Sequence, residues 1–363
     1  MLEEQKCPDQ AAPVTSTGRQ PGILTYSQIG TILRRMTDRT GCRCRRCGQI
    51  AAYGEGLLLV TAWIVWRSLA ATRVAVKNPE GGEDTMTIMV VTDSTCDLPE
   101  EIIAEYGITV VPLYINFGQR SYLDGVELSR QEFYARLPDC DPPPTTAVPS
   151  PQRFAEIYER LASEGASEIL SIHISLSLSG TVNMAHLAAQ EMASVPVTVF
   201  DSGSLSMGLG FLVWTAAKAA AEGHSTGEIV AMLEDQSART HVFAALDTLE
   251  FLRRSGRMNR VMAALGSWLQ VKPLLKMHQG EPTAEKVRTT EHATERLISL
   301  LRDLVPLEKV ALVHTHALER AGELRQKVQD LLPEGELLSL DITPVFGTHL
   351  GPGAVGFACV TVR

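Results

Sequence analysis

The chain has no long apolar run. Its most hydrophobic stretch, residues 57–66 (LLLVTAWIVW), stops at Arg67 after about 10 residues, against the ~20 that a helix needs to cross a bilayer. The length suits the h-region of a signal peptide, and Arg34, Arg35, Arg43, Arg45 and Arg46 precede it. It begins more than 50 residues into the chain, which is late for a secretory signal. No stable membrane insertion is expected. A basic excess is also missing. Lys and Arg number 33 against 42 Asp and Glu, for a net charge of -9, which argues against a nucleic-acid binder with its basic face.

Cysteine is sparse and unpatterned. Of seven, three cluster at Cys42, Cys44 and Cys47, while Cys7, Cys96, Cys140 and Cys359 are scattered. An odd count without regular spacing does not make a disulfide framework, so a reducing cytoplasm is expected. The C-x-C-x-x-C cluster has no matching Cys/His pair nearby, and half a site does not make four ligands, so no metal is expected. The nucleotide signatures are missing too. No G-x-G-x-x-G follows the first strand, and G-x-x-x-x-G-K-[ST] occurs nowhere. The chain is expected to carry no cofactor.

What is present is an ordinary globular composition, 45% hydrophobic and 21% charged, with enough apolar material for a core that encloses a ligand. The 363 residues suffice for two domains and an extension. Residues 1–85 carry about 11 basic and 8 acidic side chains, so this part is basic and the remainder strongly acidic. They read as a disordered or mispredicted N-terminal extension, with Met86 or Met89 a natural start.

From residue 88 a βα alternation begins. A strand at 88–92 leads to a helix at 99–106, with Asp97 as its expected cap and Gly107 as its stop. A strand follows at 108–117. Ser129 and Glu132 form a capping box for a helix to Leu137. A Pro/Thr-rich loop spans 139–151. Then come a helix at 152–163, a strand at 168–174, a helix from Gly180 to about Ala193, a strand at 196–200 and a helix at 207–221. This order implies βαβ units and a parallel sheet. Beyond Thr226 the pattern changes to helices at 226–238, 259–266, 291–304 and 317–331. Strands are expected at 241–245, 271–277, 284–289, 309–314, 336–343 and 356–362. This set reads as a second α/β domain.

Polar turns fall where open α/β sheets bind ligands, at strand C-terminal ends: Thr92-Asp93-Ser94, Ser175 to Thr181, and Asp201 to Ser204. The loop Thr145 to Ser150 joins them. In Ser179-Gly180-Thr181 a glycine at a helix start exposes unpaired amides, the helix dipole favours an anion, and hydroxyls add neutral donors. The turn suits one carboxylate or phosphate, and equally an ordinary N-cap that binds nothing. His349 lies in a Gly-rich turn, T-H-L-G-P-G-A-V-G, where it can hydrogen-bond an anionic head group or be a plain surface or core histidine. Arg253, Arg254 and Arg257 can face an anion or an acidic partner, or close a solvated helix end.

Taken in order, V-T-D-S-T-C-D-L-P, P-T-T-x-x-P-S-P, L-S-G-T, V-F-D-S, L-x-x-x-G-R, V-K-P-L-L and T-H-x-G-P-G-A-x-G resemble the DegV family. The match runs from about Met86 to Arg363, roughly three quarters of the chain. The resemblance implies a two-domain α/β fold: a parallel-sheet N-terminal lobe at 86–240, a second α/β lobe at 241–363, and a long-chain fatty acid in an apolar tunnel between them. It implies that Thr146 and Ser179 bind the carboxylate, with Gly180 and Thr181 at the same turn and His349 closing on the head group. Arg257 and Arg288 would lie on the rim that engages an ATP-binding fatty acid kinase subunit. That partner would phosphorylate the bound acid to an acyl phosphate for phospholipid synthesis, leaving this chain a carrier and not an enzyme. The family's loop commonly reads T-S-Q-P-S, whereas here Ala147 and Val148 replace a hydroxyl and an amide, which puts more weight on Thr146. Two other readings compete. A serine hydrolase would use Ser179, His349 and Asp201, although G-x-S-x-G is missing. A nucleotide-binding module would need the signatures already found lacking.

Overall fold

The short apolar runs between polar turns become strands covered on both faces. The computed structural model describes residues 87–257, 272–333 and 337–363. In it β1 (Ile88–Asp93) leads through a 3-10 turn into α1 (Glu100–Tyr106). Gly107 ends α1 in the left-handed region at φ 62°, where its N–H closes on the last carbonyls. Asp97 does not cap this helix. The N-cap position falls on Pro99 with no side-chain bond. Asp97 is itself left-handed and buried, and its carboxylate accepts from the Ser206 hydroxyl at 2.7 Å and the Thr343 N–H at 2.8 Å.

The expected strand at 108–117 is two strands, β2 (Thr109–Val111) and β3 (Tyr114–Phe117). Pro112 between them has no N–H for a ladder, and the chain leaves one sheet for another there. β4 (Arg120–Leu123) pairs with β3, and α2 (Arg130–Arg136) opens with the expected Ser129–Glu132 capping box. The Pro/Thr-rich loop contains β5 (Thr145–Ala147), which sets Thr146 opposite Ile115 of β3. Then α3 (Pro151–Ser163), β6 (Glu168–His173), α4 (Thr181–Glu191), β7 (Val197–Asp201) and α5 (Ser206–Ala221) follow close to their expected bounds.

The second half contains α6 (Thr226–Arg239), β8 (Thr240–Ala245), α7 (Glu250–Arg254), β9 (Lys272–His278), β10 (Glu281–Val287) and α8 (Thr290–Asp303). It closes with β11 (Leu307–His314), α9 (Leu318–Lys327), β12 (Leu338–Asp341), α10 (Pro344–Leu350) and β13 (Val355–Thr361). The helix expected at 259–266 lies outside the described residues, as do the 1–85 extension, its apolar run and its cysteine cluster. Among the described residues no helix is long and apolar enough to cross a membrane.

Three sheets result. The first is all parallel, in the order β2-β1-β6-β7. The second has six strands in the order β10-β9-β8-β13-β11-β12, antiparallel except for the β11–β12 pair. The third is the small antiparallel sheet β4-β3-β5.

Period-2 alternation sorts the first sheet's faces. Met89, Val91 and Ile169 pack on α3 and α4, while Val90, Leu170 and Ile172 turn to α5. The second sheet does the same. Val242, Met277, Val313 and Ala358 share the α5 core, whereas Phe243, Leu312 and Phe357 face α8 and α9. α5 thus lies between the two sheets, and a helix apolar on every side is one buried on every side. Its glycines permit the approach. A Cβ on Gly208 would fall 2.6 Å from Val242, and one on Gly210 would fall 2.5 Å from the Cys96 carbonyl oxygen.

Candidate ligand-binding site

At the N-terminal end of α5, where Leu205 precedes the helix, a cavity of about 460 Å³ opens. Its walls are mostly apolar, with Ile174, Leu178, Leu246, Leu275 and Phe346 among them. The polar side chains that reach it include Thr146, Ser179, Arg257 and His349. Four residues far apart in sequence, all singled out from it, therefore meet at one void.

β5 presents Thr146 and α10 presents His349. The Thr146 hydroxyl and His349 Nε2 lie 3.0 Å apart. Thr343 caps α10 by accepting from the Val345 N–H, and Pro344 fills the first helical position. Gly351 ends α10 at φ 71°, and a Cβ there would strike the Phe251 ring at 2.3 Å. The glycine thus lets α10 close against α7. Burial pushes the His349 imidazole down to about 3, and the Arg257 charge adds to the shift. The ring is neutral at physiological pH. Its Nδ1 is buried with no hydrogen-bond partner among the described residues.

Ser179 sits just before α4. Its hydroxyl lies 2.8 Å from the Thr181 hydroxyl and accepts from the Thr181 N–H at 3.3 Å. Thr181 is fully buried and Gly180 is exposed with open space around it. Neither lines the cavity; they hold Ser179 in place. Arg288 is exposed just after β10.

The other two polar turns are scaffolding for this loop. Asp93 is fully buried. One carboxylate oxygen accepts from the Thr95 N–H at 3.1 Å; the other accepts from the Ile174 N–H at 3.1 Å and meets His173 Nδ1 at 3.0 Å. His173 continues through Ser171 at 2.7 Å to the Tyr158 hydroxyl, which donates to Ser171 at 2.9 Å. This chain clamps β1 to β6 at the root of the Ser179 loop. Sequence reasoning missed His173, whose only signal is a polar residue closing an apolar strand. Asp201 works from the other side. Its carboxylate accepts from the Leu176 N–H at 3.2 Å and the Gly203 N–H at 3.0 Å.

A hydrolase triad is not assembled. His349 bonds Thr146 and not Ser179, and Asp201 is engaged by backbone amides. Among the described residues no group of His, Cys, Asp and Glu is placed to hold a metal ion.

Comparison with known proteins gives a consistent picture. The family described as "uncharacterised protein, DegV family" matches residues 87–362. A DegV domain-containing protein of Streptomyces coelicolor is 40% identical over 275 residues, 74% of this chain and 96% of its own length. A fatty-acid-binding DegV family protein from Thermus thermophilus has a solved structure that superposes with TM-score 0.69 at 37% identity, covering 76% of this chain and 100% of that one. DegV of Bacillus subtilis, a fatty acid binding protein, superposes with TM-score 0.70 at 30% identity over the same shares. With its parallel sheet, its second sheet and the cavity at their junction, this chain belongs to the DegV family.

Proposed function

We propose that the protein binds one long-chain fatty acid, with the acyl chain in the apolar cavity and the carboxylate at Thr146 and Ser179. The observation that carries this reading is the convergence of two neutral hydroxyls on one mostly apolar void. Each buried methylene contributes about 0.8 kcal/mol, so a long tail supplies the affinity and the head group needs only orientation.

The hydrogen-bond directions support the same pose. A buried N–H without an acceptor is rarer and costlier than an under-used acceptor. The His349 proton therefore belongs on Nε2, where it is donated to the Thr146 oxygen, and Nδ1 is left bare. Thr146 then keeps its own hydroxyl proton for the ligand. Thr181, fully buried beside Ser179, gives its proton to the Ser179 oxygen, which likewise frees the Ser179 proton. Two O–H donors are thus available for one carboxylate, and Arg257 adds a positive charge within the same wall.

Two further parts of the reading rest on the family resemblance. The exposed Arg288, with Arg257 at the cavity, would engage an ATP-binding kinase subunit. The γ-phosphoryl group of ATP would pass to a carboxylate oxygen, giving acyl phosphate and ADP, so this chain is the carrier. The free thiols of Cys96, Cys140 and Cys359 suit the cytoplasm.

Mass spectrometry of an organic extract from purified protein tests the carrier reading; stoichiometric fatty acid is the expected result. T146V and S179A should each weaken fatty-acid binding by roughly tenfold or more, the worth of a hydrogen bond to a charged group. A lipid-free extract together with wild-type affinity in both variants would overturn the proposal.

A further inference from the structure

A second cleft lies at the other end of α5, away from the cavity just described. It measures about 670 Å³ and is built from the C-terminal half of α5, α6, the start of β11 and the chain terminus. Its apolar wall includes Trp214 and Tyr106, both half-buried.

Its polar wall is built around Lys309. The Lys309 ammonium donates to the Thr215 hydroxyl at 2.7 Å, and Thr215 donates to the Gln236 side-chain oxygen at 2.7 Å. An ammonium only donates, so Thr215 accepts from it, and the Thr215 proton goes to the Gln236 oxygen that faces it. The NH2 group of Gln236 is the remaining donor. Gln236 is 3% exposed, and that nitrogen has no partner among the described residues. A buried donor left unmet is uncommon and costly.

Charge points the same way. Among the described residues Lys309 makes no ion pair, and its one bond is to Thr215. Burial lowers its pKa, Lys218 and Arg239 lower it further, and Glu308 opposes them. The nearby carboxylates are largely committed. Asp235 holds Arg239 at 2.7 Å and Arg363 at 3.1 Å, Glu308 holds Arg239 at 2.7 Å, and Glu222 stands 3.9 Å from Lys218. The cleft thus offers a half-buried cation with two unused N–H groups, an unpartnered amide behind it and two aromatic side chains.

We propose that this cleft is a second ligand site, taking a small organic oxyanion, a carboxylate or phosphate monoester, that carries a flat aromatic body. The oxyanion accepts from Lys309, which the Thr215–Gln236 pair holds from behind, and the ring packs on Trp214 and Tyr106. Fatty acid in the first cavity does not compete for it.

The test is calorimetric titration of full-length, lipid-loaded protein with phenyl phosphate and, separately, with benzoate. Saturable binding of at least one probe at a single site is expected. K309M should weaken it roughly tenfold to a hundredfold, the worth of hydrogen bonds to a charged group, and K309R should retain it. The stronger probe distinguishes a phosphate from a carboxylate as the natural head group. Where K309M does not fold, the 13Cε resonance of unmodified Lys309 in 13C-lysine-labelled protein gives a second reading and should shift along the calorimetric isotherm. Absence of saturable binding by either probe, equal affinity in K309M, or an unmoved Lys309 resonance would overturn the proposal.

Discussion

Asp97→Asn makes the buried latch between the first polar turn and α10 measurable. Asp97 accepts from the N–H of Thr343, the residue that caps α10, and so ties the start of the chain's fold to the helix that carries His349. Burial is the main cause that raises its carboxyl from 3.8 to about 7, against the opposing pull of Arg130, Ser206 and the Thr343 N–H. Below about pH 4 folded and unfolded chains both hold the proton, and the shift has no effect on stability. As pH rises towards about 7 the unfolded chain ionises while the folded one keeps its proton, so stability falls; above that both are ionised and the loss is complete. Roughly three pH decades at about 1.4 kcal/mol each give a descent on the order of 4 kcal/mol.

Asparagine cannot ionise, so D97N should lack this descent. Burial also holds His241 down to about 4 and His349 to about 3. Those rings favour the folded state above the ordinary histidine range and weaken it as pH falls, the opposite slope. Both are present in either protein and cancel in the difference. Asp124, raised chiefly by its own burial, adds a descent of the same sign as Asp97 in both. Urea midpoints measured from about pH 5 to about pH 8 should therefore show wild type losing ground to D97N by a few kcal/mol. Parallel curves across that range would refute the account.

Two other perturbations follow from the packing. V148W places an indole at a half-buried loop position that lines the first cavity. If it displaces about two methylenes at about 0.8 kcal/mol each, fatty-acid affinity should fall by more than tenfold, with the urea midpoint nearly unchanged. Undiminished lipid in the extract would count against that cavity as the site. G356A puts a Cβ 2.1 Å from the Phe243 carbonyl oxygen and 2.6 Å from the Ala244 Cα. These are backbone atoms of a paired strand and cannot swing aside, so a loss of about 3 kcal/mol is expected by denaturant unfolding. A wild-type midpoint would show that β8 and β13 have slack the structure does not display.

The sequence made the alternation of strands and helices readable because each element has a local cause. Ser129 and Glu132 cap α2 with their own backbone, and Gly107 stops α1 by its own dihedral. What it hid depends on distant partners. Asp97 is a residue type that caps helices, yet it stands two residues before the α1 N-cap at Pro99, and Ser206 and Thr343 take its carboxylate. Pro112 was visible as a ladder breaker inside 108–117 and would have divided that strand. Thr343-Pro344, a cap followed by proline at the first position, was the available sign of α10 beneath the Gly-rich turn. Of the candidate site, Thr146, Ser179 and His349 were readable one at a time, whereas their meeting at one cavity was not. That meeting depends on β5 joining β3 and on α10 packing against α2 and α7, contacts that no local pattern encodes. Arg257 lines the same cavity for the same reason.

The head-group chemistry follows from where the charge would sit. A lone carboxylate moved into an apolar cavity would be too costly to keep ionised. A buried lysine or arginine locked onto it would hold it, but with a desolvation penalty of its own and an acid hard to hand on. The structure offers an intermediate arrangement. In the proposed pose two hydroxyls would donate without adding charge, a histidine held neutral would fix one of them, and Arg257 would contribute its field from the same wall without being the sole partner. Under the proposed function, affinity then scales with the length of tail buried. An ion-paired head would instead put most of the binding free energy at the carboxylate, and truncating the tail would matter little. Binding measured along a series of shortened fatty acids separates the two arrangements. The neutral-donor site requires affinity to fall steadily, by about 0.8 kcal/mol per methylene removed, and a flat series would contradict it.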